Sequence, residues 1–146
     1  MKDKFHLISQ KGKIMKELQI GLENSASLKV DEKHTALSVG SGTLPVFATP
    51  SMIALMEKAA SECVAPYLEE NEATVGTLVN VTHISATPMR MTVTVAAKLV
   101  EIDGKRLVFD VTAVDEVGVI GKGKHERFII KEDKFMKKTI AKNNEE

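Results

Sequence analysis

Two residues of this 146-residue chain combine an ionisable side chain with apolar surroundings. Glu57 follows Ile53 by four residues and precedes Ala60 by three and Val64 by seven. On an α-helix that spacing groups it with apolar neighbours rather than with Ser51, Lys58 and Glu62. A carboxylate there is costly unless paired, and a paired carboxylate can move a proton or attack an electrophile. His83 alternates with Val79 and Val81 in a strand-like run, so it shares their face and points toward a core or pocket. Imidazole exchanges protons near neutral pH, which makes Glu57 and His83 a candidate acid/base pair. The plain alternatives stand beside this reading: a single Glu on a helix is usually solvated, and a single semi-buried His is usually structural.

Other reactive residue types offer less. Cys63 lies on the apolar stripe of the same helix, where a thiol is normally an inert packing group. His6 and His34 sit in segments without periodicity and read as surface residues. Four histidines with no ligand-like spacing make no case for a metal. Gly121 and Gly123 alternate within a strand pattern and mark a bend or a close backbone approach; neither a P-loop nor a dinucleotide fingerprint is present.

The elements that must position these groups follow from periodicity. A helix is predicted from about Pro50 to Tyr67, with Thr49 as N-cap, Pro50 as first helical residue and Pro66 in the last turn. Met52, Leu55, Met56, Ala59, Ala60 and Cys63 form its wide apolar stripe. Val-, Ile- and Thr-rich runs near Gly76–Ser85, Met89–Glu101, Arg106–Asp115 and Val119–Ile130 read as an antiparallel meander, with turns at Ala86-Thr87-Pro88, Asp103-Gly104 and Val117-Gly118. A further strand within Leu18–Val30 precedes the helix, joined to it by an irregular loop around Ser38–Leu44. The order strand, apolar helix, four strands implies an α+β hotdog fold, an antiparallel β-sheet wrapped around a central α-helix, with an edge strand left for a second copy.

Composition bounds the remaining choices. The length suits one domain, 1–146, with the polar stretches 1–12 and 136–146 peripheral or flexible. Twenty basic and twenty acidic residues cancel, which argues against a nucleic-acid partner. A single cysteine excludes an internal disulfide, and no stretch suits a signal peptide or a membrane span, so a cytoplasmic protein is expected.

Longer blocks carry more specific information. Val46-Phe47-Ala48-Thr49, Leu55-Met56-Glu57, Ala65-Pro66-Tyr67-Leu68, Gly76-Thr77, Val81-Thr82-His83, Ala86-Thr87-Pro88 and His125-Glu126-Arg127 occur in order over about residues 45–135. Together they closely resemble the fluoroacetyl-CoA thioesterase family. The resemblance implies hydrolysis of a short acyl-CoA, with catalytic roles at Thr49, Glu57 and His83 and substrate-binding roles at Gly76, Arg127, Phe47 and Val46. It implies no cofactor beyond the CoA of the substrate, and a homodimer or dimer of dimers. Where the fluoroacetyl-specific member carries aromatic residues ahead of the helix, this chain has Val39-Gly40-Ser41-Gly42-Thr43-Leu44, so a broader short-acyl preference is expected. A non-catalytic acyl-CoA-binding protein is the alternative. A hotdog enoyl-CoA hydratase or dehydratase ranks below it, because the Asp/His pair those enzymes carry ahead of the helix is missing.

Overall fold

The computed structural model describes residues 6–8 and 14–144. In chain order the elements are β1 (His6–Ile8), β2 (Ile14–Lys16), β3 (Glu23–Lys29), α1 (Ala36–Val39), α2 (Thr49–Val64), β4 (Glu72–His83), β5 (Thr92–Asp103), β6 (Arg106–Val114), β7 (Val119–Lys131) and α3 (Glu132–Ala141). β1 and β2 pair with each other, and the other five strands form one antiparallel sheet in the order β3-β5-β6-β7-β4. The expected hotdog arrangement is therefore present, with α2 seated on one face of a five-stranded sheet.

Alternation explains the seat. Val93, Val95, Ala97 and Leu99 of β5, and Leu107, Phe109, Val111 and Ala113 of β6, recur at every second position and are buried. They meet the buried Met52, Leu55, Met56, Ala59, Ala60, Cys63 and Val64 of α2 in one core. Alanines at 59 and 60, both fully buried, let the helix axis come close to the sheet.

Three expectations change. The four late strands are not one meander: β5, β6 and β7 run as hairpins, but β4 lies beyond β7 at the opposite edge from β3. The connection from Ile84 to Met91 crosses the sheet end instead of turning back, because Phe47 donates its N–H to the Thr87 carbonyl and Val46 bridges Pro88. The α-helix ends at Val64, and Ala65–Tyr67 continue as a 3-10 turn, since Pro66 cannot donate to the ladder. The strand expected within Leu18–Val30 is confined to Glu23–Lys29, after a turn in which Gly21 has φ of 105°.

Other segments sharpen what was expected. The loop before α2 contains the single-turn α1, closed by Gly40 in the left-handed conformation at φ of 81°. The tight β5–β6 hairpin has Gly104 and Lys105 as its two loop residues, with Gly104 at φ of 62° as the first central position of a II′ turn requires. The polar tail from Glu132 forms the exposed α3, tied down where Asn71 donates to the Asp133 carboxylate at 2.9 Å. Residues 1–5, 9–12 and 145–146 of the stretches expected to be peripheral lie outside the described residues, as do residue 13 and the side chain of His6. Among the described residues, no helix is long and apolar enough to cross a membrane.

Gly121 and Gly123 mark a close approach, as their alternation suggested. A Cβ at Gly121 would strike the Thr82 carbonyl, and one at Gly123 would strike the Asn80 carbonyl, so both glycines let β4 lie tightly on β7. Backbone cannot swing aside as a side chain can. Gly123→Ala is expected to destabilise the fold by about 1–3 kcal/mol in urea titration, through forced displacement of β4; an unshifted midpoint would refute this account of the packing.

Candidate active site

β4 carries two candidate residues, and a bulge sets their phase. Gly76 pairs with Arg127 while Leu78 pairs with Glu126, so Thr77 is an extra residue on β4. Without it, Gly76 and His83 would point to opposite faces, being seven residues apart. With it, Gly76, Val79, Val81 and His83 stand opposite Arg127, His125, Gly123 and Gly121, and both candidates face α2.

His83 lies at the end of β4, and its Nδ1 is 2.7 Å from Oγ1 of Thr49 at the start of α2. Thr49 was expected to cap the helix; the capping position is instead Ala48, which makes no side-chain cap bond. The Thr49 hydroxyl is turned to the imidazole. Buried Phe47 packs edge-on to the His83 ring, with centroids 6.4 Å apart. Backbone bonds hold this segment in place: Phe47 to Thr87, Ala48 to His34, and Ala36 to Val46. A cavity of about 310 Å³ opens here, lined by Val46, Phe47, Thr49, His83 and, from the α1 loop, Ala36 and Ser41. Nε2 of His83 is buried and has no hydrogen-bond partner among the described residues. Burial pushes the His83 pKa below its ordinary value, with the nearby Ser85 backbone opposing, which favours the neutral ring. A larger cavity near Val30 and Arg90 is edged by Asp31 and Glu32 and contains none of the candidate residues.

Glu57 is elsewhere in the protomer. It lies eight residues beyond Thr49 on α2, about 12 Å along the axis at 1.5 Å per residue. Its Oε2 is 3.6 Å from Nη1 of Arg127, and it occupies the space a Cβ on Gly76 would need. The Arg127 side chain is 8% exposed. Its Nε donates to Thr74 Oγ1 at 2.8 Å and its Nη2 to the Thr74 carbonyl at 2.9 Å. A single protomer thus presents two separate groups, Thr49 with His83 and Glu57 with Arg127 and Gly76. Glu57 and His83, the candidate acid/base pair, fall in different groups of the protomer.

Two histidines stand apart from the sequence reading. His34, expected at the surface, is half-buried and accepts the Asp31 N–H on Nδ1 in a capping box. His125 is fully buried, with Nδ1 2.8 Å from the Leu78 carbonyl and Nε2 3.2 Å from Arg127 Nη1. The alternation already seen in Gly121 and Gly123 continues to 125 and 127, and that signal was available to find it. Burial is the main force lowering the His125 pKa; the bond to Leu78 opposes, Arg127 adds to the fall, and Glu57 and Glu126 oppose.

His83 and His125 make stability depend on pH. The unfolded chain binds their protons near the ordinary 6.5, whereas the folded chain holds them off to lower pH. Their contribution is complete above about 6.5 and is lost as pH falls through the depressed folded values. The thermal midpoint is expected to decline between pH 7 and pH 5; a flat or rising profile across that window would contradict it.

Comparisons with known proteins agree with this fold. The family model described as fluoroacetyl-CoA-specific thioesterase matches residues 30–133. A fluoroacetyl-CoA thioesterase of Streptantibioticus cattleyicolor is 48% identical over 97 residues, 66% of this chain and 70% of its own. A solved structure of the fluoroacetyl-CoA thioesterase FlK superposes with a TM-score of 0.82 at 38% identity, covering 86% of this chain and 97% of that one. A Thermus thermophilus protein described as a thioesterase superfamily member matches at 29% identity with a TM-score of 0.82, covering 89% and 96%. The chain belongs to the fluoroacetyl-CoA-specific thioesterase family, and is a thioester hydrolase of the hotdog fold.

Proposed function

We propose that the protein hydrolyses short-chain acyl-CoA to the free acid and CoA, in a homodimer whose sites are shared between two copies. The observation that carries this reading is the buried, unpartnered Nε2 of His83, held by Thr49 at the edge of a cavity. With Nδ1–H donated to the Thr49 hydroxyl, Nε2 presents its lone pair as a general base. It takes the proton from a water attacking the thioester carbonyl carbon. The C–S bond then breaks, and the imidazolium returns the proton to the departing CoA thiolate. Thiolate leaves readily, so the remaining demands are orientation of the water and stabilisation of the oxyanion. Glu57 orients the water or attacks as nucleophile, and backbone N–H groups at the Gly76–Thr77 bulge serve the oxyanion. Arg127, Val46 and Phe47 shape the site.

The dimer supplies the missing proximity. β4 is an edge strand with no charged residue between Ala73 and His83, and Leu78 and Val79 on it are exposed. Such an edge is a template for another strand. Antiparallel pairing of two β4 edges about an axis near Val79 and Asn80, midway between Gly76 and His83, lays His83 of one copy beside Gly76 and Glu57 of the other. We place the enzyme in the cytoplasm, on the ground that its single cysteine leaves no internal disulfide.

The segment beside His83 bears on substrate. The α1 loop exposes Leu37, Val39 and Leu44 and has no aromatic side chain between Ala36 and Val46. Aliphatic groups on a glycine-containing loop discriminate weakly between a methyl and a fluoromethyl group. A thiol-release screen over an acyl-CoA panel tests both the activity and the acyl preference. It is expected to show turnover of acetyl- and other short acyl-CoAs, with kcat/KM for fluoroacetyl-CoA within about tenfold of that for acetyl-CoA. A strong fluoroacetyl preference would overturn the substrate reading. Thermal stabilisation by acyl-CoA with no thiol released would favour the binding-protein alternative.

A further inference from the structure

His125 belongs to neither group of candidate residues, yet it touches both structural devices on which they depend. Its ring is fully buried between Leu78 of β4, Arg127 of its own strand and Phe109 of β6, whose ring centroid is 6.2 Å away. Leu78 is the first residue after the bulge that turns Gly76 and His83 to a common face. Arg127 is the cation beside Glu57.

The two contacts determine the ring's protonation. A carbonyl only accepts and a guanidinium only donates. Nδ1 must therefore carry the hydrogen given to the Leu78 carbonyl, and Nε2 must offer its lone pair to Arg127 Nη1–H. The other neutral tautomer would set a lone pair against the carbonyl and an N–H against the guanidinium. The imidazolium would add a like charge beside Arg127.

We infer that His125 is a positioning residue: it fastens the β4 bulge through Nδ1–H and aims the Arg127 guanidinium at Glu57 through Nε2. The inference rests on the thioesterase reading for its kinetic consequence, but its structural half stands on the geometry alone. The histidine joins in one rigid side chain two features that must be in register, the phase of β4 and the cation at Glu57. A substitution that keeps an aromatic ring but loses both bonds lets the bulge shift along β4 and frees Nη1 from one of its neighbours.

The test uses the full chain and two readouts. In the wild type, ring ¹⁵N shifts are expected to show Nδ1 protonated and Nε2 bare at pH 7. Nuclear Overhauser contacts are expected to give the Gly76–Arg127 and Leu78–Glu126 register. His125→Phe is expected to lower kcat for acetyl-CoA thiol release by about 10- to 100-fold with KM changed far less, because misplacement by about an ångström suffices. His125→Asn retains an amide donor where Nδ1–H stood; it is expected to keep the bulge register without restoring kcat. His125→Gln carries an acceptor to the reach of Nε2 and is expected to recover part of kcat. A folded His125→Phe with wild-type kcat, or a ring protonated on Nε2, overturns the inference. Should His125→Phe not fold, His125→Asn with wild-type kcat overturns the role of Nε2. If the wild type releases no thiol from any acyl-CoA, the functional reading fails separately, and the ring shifts and register still decide whether His125 fastens the bulge.

Discussion

Replacing His83 by alanine is expected to lower kcat on acyl-CoA by about 10²- to 10⁴-fold, the usual contribution of a positioned proton-transfer group. Stability should change little, because His83 is half-buried at the end of an edge strand and its ring is held chiefly by Thr49. The loss would therefore lie in turnover at substrate saturation, with far-UV and thermal profiles close to the parent. Thr49→Ser keeps the hydroxyl on Nδ1 and is expected to retain most activity, while Thr49→Ala releases the ring and is expected to fall in kcat. The pH profile adds an independent check. Burial lowers the His83 pKa, and a base works only when deprotonated, so the acidic limb of kcat/KM should lie below pH 6.5. Wild-type turnover by His83→Ala of every acyl-CoA the parent accepts would remove the assignment.

Mixing defective copies is expected to restore activity that each lacks alone. Glu57→Ala and His83→Ala homodimers should both be nearly inactive. In a mixed dimer built as proposed, one of the two sites receives Glu57 from one copy and His83 from the other, and is intact. Random reassociation of equal amounts then yields about a quarter of the wild-type activity per protomer, since half the dimers are mixed and each has one good site. If each protomer housed its own complete site, mixing would recover nothing. The experiment therefore separates a shared site from a self-contained one without depending on the chemical step assigned to Glu57. Recovery absent while mixed dimers are demonstrably formed would end the shared-site proposal.

Much of the fold was legible because its signals are local. Period-two alternation placed Val79, Val81 and His83 on one face, and the structure keeps them there. The apolar stripe of the helix named six residues that are all buried, and the hairpin glycine sits at the turn. Apart from element ends, what failed was what depends on a distant partner. Thr49 satisfied the composition rule for a cap, but its hydroxyl went to His83, 34 residues away. β4 and β5 are neighbours in sequence and lie at separate places in the sheet, because Thr87 and Pro88 are held by the segment before α2.

The residues capable of chemistry were determined by the chain itself: a carboxylate among apolar helix positions and an imidazole among valines are visible in one dimension. Their grouping was decided only by tertiary structure. One extra residue at Thr77 reverses the phase of β4 and brings Gly76 to the same face as His83, and no periodicity within the strand announces such an insertion. The partners of Glu57 were likewise hidden, since Arg127 is 70 residues away and reaches it only after β7 has paired with β4. Local rules act through a few bonds of backbone, whereas these contacts arise from the registration of strands far apart in the chain.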